Sequence, residues 1–135
     1  MPLEFINPPA LCPTYGWSHV VTSTGGKTIY VSGQVGNDQR AAIVGRGDLR
    51  AQTEQAFHNV AIALEAAGAT FADVVKTSLF VVGLKPEHVP IIREVRGRYI
   101  SADNPPASTL VGVSALVDPD WLIEIEAVAV VGSSP

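Results

Sequence analysis

The chain has 135 residues, of which 47% are hydrophobic, 7% aromatic and 16% charged, with a formal charge of −4. That composition excludes a disordered chain and predicts one domain over residues 1–135 that buries its own core without disulfide or metal staples. The acidic balance offers no basic stripe for a nucleic-acid backbone, and the lone cysteine, Cys12, excludes an internal disulfide and a zinc-ligand spacing. The first twenty residues show no charged-then-apolar leader, and no apolar run approaches membrane-spanning length. The expectation is a soluble, cytoplasmic chain with neither nucleic acid nor membrane as a partner.

In chain order, Leu3 to Ile6 reads as a short strand stopped by Asn7-Pro8-Pro9. Trp17 to Ser23 and Lys27 to Gly33 are β-rich runs joined through Thr24-Gly25-Gly26, which predicts a hairpin between them. Gln34 to Gly47 is a loop. Asp48 is placed to cap a helix running to about Ala67, with Phe57, Val60, Leu64 and Ala67 on one stripe and Gly68 as its stop. Val74 to Val82 reads as a strand with Val75, Thr77, Leu79 and Val81 on one face. A second helix begins between Pro86 and Pro90, buries Ile92, Val95 and Tyr99, and ends before Asn104-Pro105-Pro106.

Two strands close the order, about 107–115 and 122–131, and Gly132-Ser133-Ser134-Pro135 reads as a frayed tail. The order β-β-β-α-β-α-β-β predicts an α+β fold: a single mixed sheet with both helices on one face. The other sheet face still carries Val and Ile, which predicts its burial against further copies of the chain.

Chemistry concentrates near the C-terminus. Glu124 and Glu126 alternate with Ile123, Ile125 and Ala127, so both carboxylates lie on one strand face, roughly 7 Å apart. A strand that keeps two carboxylates in an apolar run needs a reason, because an unpaired buried carboxylate is costly. Arg93, Arg96 and Arg98 surround Glu94 and read as a solvated helix face. Cys12 reads as a packing residue and His58 as a helix-surface residue.

Several segments together resemble the Rid (YjgF-type, reactive intermediate deaminase) family: Val31-Ser32-Gly33-Gln34, Ala51-Gln52-Thr53 with Ala56 and Asn59, Ala66-Ala67-Gly68-Ala69, Asp73-Val74-Val75-Lys76-Thr77, Pro105-Pro106-Ala107, and Ile123-Glu124-Ile125-Glu126-Ala127. Each is weak alone; their order and spacing carry the resemblance, from about Trp17 to Val130. It implies a chorismate-mutase-like (bacillus type) α+β fold, a homotrimer with a central β-barrel, and small-molecule clefts between subunits. It also implies hydrolysis of reactive enamines or imines with release of ammonia, without cofactor or metal.

Carried over position by position, the resemblance makes Glu124 the catalytic residue that positions water or shuttles a proton, and assigns Glu126 a structural role. Gly33 allows close backbone approach to the ligand. Trp17 stands where the family has a tyrosine, with Tyr15 two residues earlier as its partial substitute, and His19 reads as a packing residue. Ser108 stands where deaminating members have arginine, and lines the cleft beside Thr109. Leu110 makes that wall more apolar, and Lys85 falls near a ligand-contacting asparagine. A guanidinium grips a carboxylate with two parallel hydrogen bonds, which serine cannot do. With no cation in view, the cleft is expected to repel carboxylates, and efficient 2-iminopropionate deamination is not expected. The alternatives are a non-catalytic metabolite-binding or interaction trimer and, disfavoured by charge, an endoribonuclease or translation inhibitor.

Overall fold

Asp48 starts the longest element: its side chain accepts a hydrogen bond from the Ala51 amide at 3.1 Å and caps α1 (Leu49–Ala66). At the other end Gly68 takes φ +80°, and the Ala69 and Gly68 amides close back on the Leu64 and Glu65 carbonyls at 2.9 and 3.0 Å, a Schellman stop. Both helix ends thus follow local chemistry written at Asp48 and Gly68. The computed structural model describes residues 3–132, so the tail expected at 133–135 lies outside the described residues.

Around α1 stand β1 (Leu3–Ile6), β2 (Val20–Ser23), β3 (Lys27–Val35), β4 (Val74–Val82), α2 (His88–Arg96), β5 (Ala107–Val113) and β6 (Ile123–Val131). A 3-10 turn, Phe71–Asp73, leads into β4 and is fixed by a capping box between Thr70 and Asp73. Pro90 falls in the first turn of α2, where its missing N–H costs no helical hydrogen bond.

The expected β2–β3 hairpin does not form, and the strands do not make one sheet. β2 pairs antiparallel with β1, from Leu3 opposite Ser23 to Ile6 opposite Val20, while β3 belongs to a separate four-stranded sheet of order β3-β6-β4-β5. Two successive left-handed glycines, Gly25 (φ +68°) and Gly26 (φ +80°), carry the chain from the ribbon into that sheet. Pairing with β6 sets Ile29 and Val31 opposite Ala129 and Ala127, which adds them to the apolar face under the helices. The four-stranded sheet is mixed: β4 and β5, joined through α2, run parallel, and β6 is antiparallel to both β3 and β4.

Both helices cover one face of this sheet. Phe57, Val60 and Leu64 of α1 and Ile92 and Val95 of α2 are fully buried against Leu79, Val81, Ile123, Ile125 and Ala129. Phe57 stacks on Tyr99 with ring centroids 5.4 Å apart and planes 12° apart, and Phe71 closes the cluster at 6.0 Å from Phe57. The β4 alternation is corrected at one point. A register shift between Val74 and Lys76 puts Val74 into the core in place of Val75, after which Thr77, Leu79 and Val81 alternate inward as expected.

Gln52 ties the loops at one end of the sheet to α1. It is fully buried; its side-chain nitrogen donates to the Gly45 and Asp120 carbonyls (3.2 and 3.1 Å), and its oxygen accepts from the Leu122 amide (2.9 Å). Gln52→Ala removes the partner of three backbone groups, and unsatisfied groups of this kind cost about 1–3 kcal/mol each when buried. The expected loss is about 2–4 kcal/mol in urea denaturation, with the entry into β6 loosened.

Candidate functional site

β6 resolves the problem of its two carboxylates. Ile123, Ile125, Ala127 and Ala129 point into the core, so Glu124 and Glu126 both point to the sheet face away from the helices. Glu126 is exposed and pairs across from Ser78; Glu124 is half-buried and pairs across from Phe80 on β4 and Val35 on β3.

Gly33 explains why Glu124 is partly shielded. The β3–β6 register shifts between Val31 and Gln34, a bulge that swings the Gly33 backbone onto the Glu124 side chain. A Cβ at Gly33 would stand 2.1 Å from the Glu124 Oε2 and 2.6 Å from its carboxyl carbon, so only glycine lets the carboxylate lie there. Gly33 also borders an open groove of about 810 Å³ walled by Val35, Asn37, Gln55 and Asn59. Asn59 holds this rim by donating to the Val35 and Asn37 carbonyls at 3.0 and 2.8 Å. Two of the expected site residues, Gly33 and Glu124, are therefore in contact.

Ser108 and Trp17 meet elsewhere. Both line a second cavity, of about 230 Å³, between the segment before β2, α2 and the start of β5. Ser18, fully buried, anchors that segment: its hydroxyl donates to the Pro105 carbonyl at 2.5 Å and its amide to the Pro106 carbonyl at 3.0 Å. The Ser108 hydroxyl accepts from the Thr77 hydroxyl at 3.0 Å, which leaves its own proton to offer to the cavity. Tyr15 and Trp17 both line this wall, together with Leu110. His19 is tied down, its ring edge-on to Trp17 (4.8 Å) and its Nε2 at 2.7 Å from the Cys12 carbonyl, which agrees with a packing role.

Within one chain the two groups stay apart. Ser108 pairs with Thr77, and Glu124 with Phe80, three residues further along β4. An odd offset puts them on opposite faces, and strand geometry separates their backbones by roughly 14 Å. Thr109 parts from Ser108 for the same reason: it lies on the face away from the helices, where its hydroxyl accepts from Lys76 Nζ at 2.7 Å. Lys85 sits exposed in the loop after β4, its amide donating to His88 Nδ1 at 3.0 Å, and is not on the wall beside Ser108.

The expectation that no cation stands near Ser108 is wrong. Arg93 and Arg96 line the same cavity. Of the three clustered arginines Arg93 and Arg98 are exposed, Arg98 bonded to Glu94 at 2.8 Å and paired with Glu54 at 3.4 Å, while Arg96 is half-buried. Arg50 and Arg98 together hold the Glu94 carboxyl below its ordinary pKa. Arg96 follows the buried Ile92 by four residues, so it rides at the edge of the apolar stripe, and that spacing was the available signal. Burial, with the like charge of Arg93 beside it, pushes the Arg96 guanidinium below its ordinary pKa. Among the described residues no three His, Cys, Asp or Glu side chains gather as a metal site, and no helix is long and apolar enough to cross a membrane.

Comparison with known proteins agrees with this frame. Residues 8–131 match the model of the family described as Endoribonuclease L-PSP. A 2-iminobutanoate/2-iminopropanoate deaminase from Dermatophagoides farinae is 35% identical over 106 residues, 78% of this chain and 80% of that one. A Homo sapiens protein of the same name is 35% identical over 106 residues, 78% of this chain and 74% of its own length. The crystal structure of YyfB, a Rid-family protein from Yersinia pestis, matches with a TM-score of 0.90 and 39% identity, over 97% of this chain and all of that one. The match spans both helices and the mixed sheet, and the chain belongs to the Endoribonuclease L-PSP family, that of the YjgF/Rid proteins.

Proposed function

We propose that this protein hydrolyses a reactive imine or enamine to a carbonyl compound and ammonia. The site is a cleft in which Gly33 and Glu124 of one copy face Trp17 and Ser108 of another, in a homotrimer. The observation that carries the reading is the Glu124 carboxylate seated on the Gly33 backbone, on the sheet face that no helix of its own chain covers. Tyr30 and Val111 are exposed on that same face, at 80% and 38%, which supports its burial by a further copy. Relatives named as 2-iminobutanoate/2-iminopropanoate deaminases support the reaction class.

In this reading the Glu124 carboxylate takes a proton from water as the water oxygen bonds to the imine carbon. The proton passes to nitrogen and gives a carbinolamine. Glu124 then carries the carbinolamine hydroxyl proton to the same nitrogen as the C–N bond breaks, so ammonia leaves, the carbonyl forms and Glu124 is again ionised. An enamine enters as its imine tautomer. Ser108 donates its free proton to the ligand, and Trp17 packs on the ligand body. Ser108 in place of a β5 arginine removes a charged hydrogen-bond donor at that point, which costs roughly 10- to 150-fold in binding for a ligand that needs it. The smallest 2-imino acids are therefore poor substrates.

The test is ammonia release from imines and enamines generated in situ. The expected result is turnover of a larger imine or enamine that exceeds that of 2-iminopropionate by about 10-fold or more. Robust turnover of 2-iminopropionate would remove the role given to Ser108. Ligand binding with no ammonia from any imine would favour a non-catalytic binding trimer.

A further inference from the structure

The cavity beside Ser108 holds charge that the fold does not neutralise. The arginines at positions 46, 50 and 98 each pair with a carboxylate, but Arg93 and Arg96 form no salt bridge among the described residues. Arg93 stands over the Tyr15 ring, 5.4 Å from its centroid, and so has a partner in the ring face. Arg96 has one long hydrogen bond, from its guanidinium to the Tyr15 carbonyl at 3.4 Å. A guanidinium carries five N–H donors in a planar fork. Most of those donors lack an acceptor among the described residues, and the side chain is half-buried, so they face the cavity and the water in it.

Local backbone chemistry maintains this arrangement. Gly16 sits at φ +72°, and a Cβ there would stand 2.7 Å from an Arg96 guanidinium nitrogen. Glycine suits the left-handed turn at position 16, and a side chain there would displace the Arg96 guanidinium. The nearest acid in sequence, Glu94, is turned to Arg50 and Arg98 on the outer side of α2. Among the described residues no carboxylate lines the cavity; its other walls are Tyr15, Trp17, Val89, Ile92, Leu110 and the Ser108 hydroxyl.

From this we infer that Arg96, supported by Arg93, is the anion-binding, specificity-determining residue of this site, and that its ligand is a carboxylate with a compact apolar or aromatic body. The inference rests on the cavity being the ligand half-site proposed above. It deepens that reading by moving the positive charge from β5 to α2. A carboxylate held on α2 is anchored at the helix wall, and the ligand body lies over Trp17 and Leu110 toward Ser108. The apolar walls of the cavity, Trp17, Val89, Ile92 and Leu110, favour a carboxylate with a longer apolar body over a three-carbon imino acid.

The experiment compares phenylacetate with phenylacetamide, which share shape and differ in charge, by titration calorimetry on the intact protein. Binding is read without turnover, so a protein that binds the acid but releases no ammonia from any imine would refute the proposed reaction and leave this inference standing. The acid is expected to bind about 10-fold or more tighter than the amide, as loss of a charged hydrogen bond implies. Arg96→Gln erases the preference and Arg96→Lys restores part of it. Ser108→Asp, which sets a carboxylate across the cavity from Arg96, abolishes acid binding while amide binding persists. The Ser108 variant decides the matter if Arg96→Gln fails to fold. Equal binding of acid and amide, no binding of either, or an undiminished acid preference in Arg96→Gln or Ser108→Asp would overturn the inference.

Discussion

Glu124→Gln is expected to slow ammonia release roughly 100- to 10,000-fold, the usual contribution of a positioned general acid–base group. The change keeps the side chain's size and removes its ability to take a proton. Glu124 points away from the core formed by Ile123 and Ile125 and enters no salt bridge among the described residues. Thermal stability should therefore move by no more than about 0.5 kcal/mol, as for substitutions outside packed or paired sites. Gly33→Ala acts on the same carboxylate from the other side: its Cβ would overlap the position of Oε2, so the carboxylate must swing out. Its rate should fall in the same direction with the melting temperature little changed. Initial rates and melting curves on the two variants separate chemistry from folding. A Glu124→Gln protein with undiminished turnover would remove Glu124 from the mechanism.

Phe57→Ala is expected to produce the largest loss of stability, about 3–5 kcal/mol. Phe57 is fully buried, sits where α1 meets the sheet, stacks on Tyr99 and meets Phe71 at a tilt, so truncation removes apolar burial and two aromatic contacts together. Domains of this kind are stable by only about 5–15 kcal/mol, so the variant stands close to unfolding. Urea denaturation at matched protein concentration measures it, the matching being needed because association adds to apparent stability. A loss under about 1 kcal/mol would mean that the ring cluster repacks around the gap.

What could be read in the sequence divides along physical lines. Helix α1 was legible at both ends because its signals are local: Asp48 caps it and Gly68 supplies the left-handed turn. The alternation in β6 correctly placed Glu124 and Glu126 on one face. The partner of β2 was not legible, because Thr24-Gly25-Gly26 marks a reversal without saying which strand lies across it, and β1 and β6 outcompete the local hairpin. The bulge at Val75 was hidden too, since valine on either side satisfies the same pattern.

The site divides in the same way. Motif resemblance named Gly33 and Glu124, and the structure puts the two in contact. Grouping Ser108 with Thr109 ignored the strand period of two, which sends neighbours to opposite faces. Arg96 is hidden in the sequence because Arg93, Arg96 and Arg98 surround Glu94 and together resemble one solvated helix face. Its spacing from Ile92 already placed it at the border of the buried stripe. Lys85, which falls near the family's asparagine, is an exposed residue of the loop after β4 and does not line the cavity of Ser108.

The central claim is that a complete site takes Glu124 from one copy and the Ser108–Arg96 wall from another. Co-refolding Glu124→Gln with Ser108→Asp tests it most directly. Each variant alone is inactive in ammonia release, one lacking the proton carrier and the other carrying a blocked anion wall. Random co-assembly in a cyclic oligomer leaves about a quarter of the sites with both halves intact, and activity should return to about that fraction of the unmodified protein. A mixture no more active than its two parents would contradict the account.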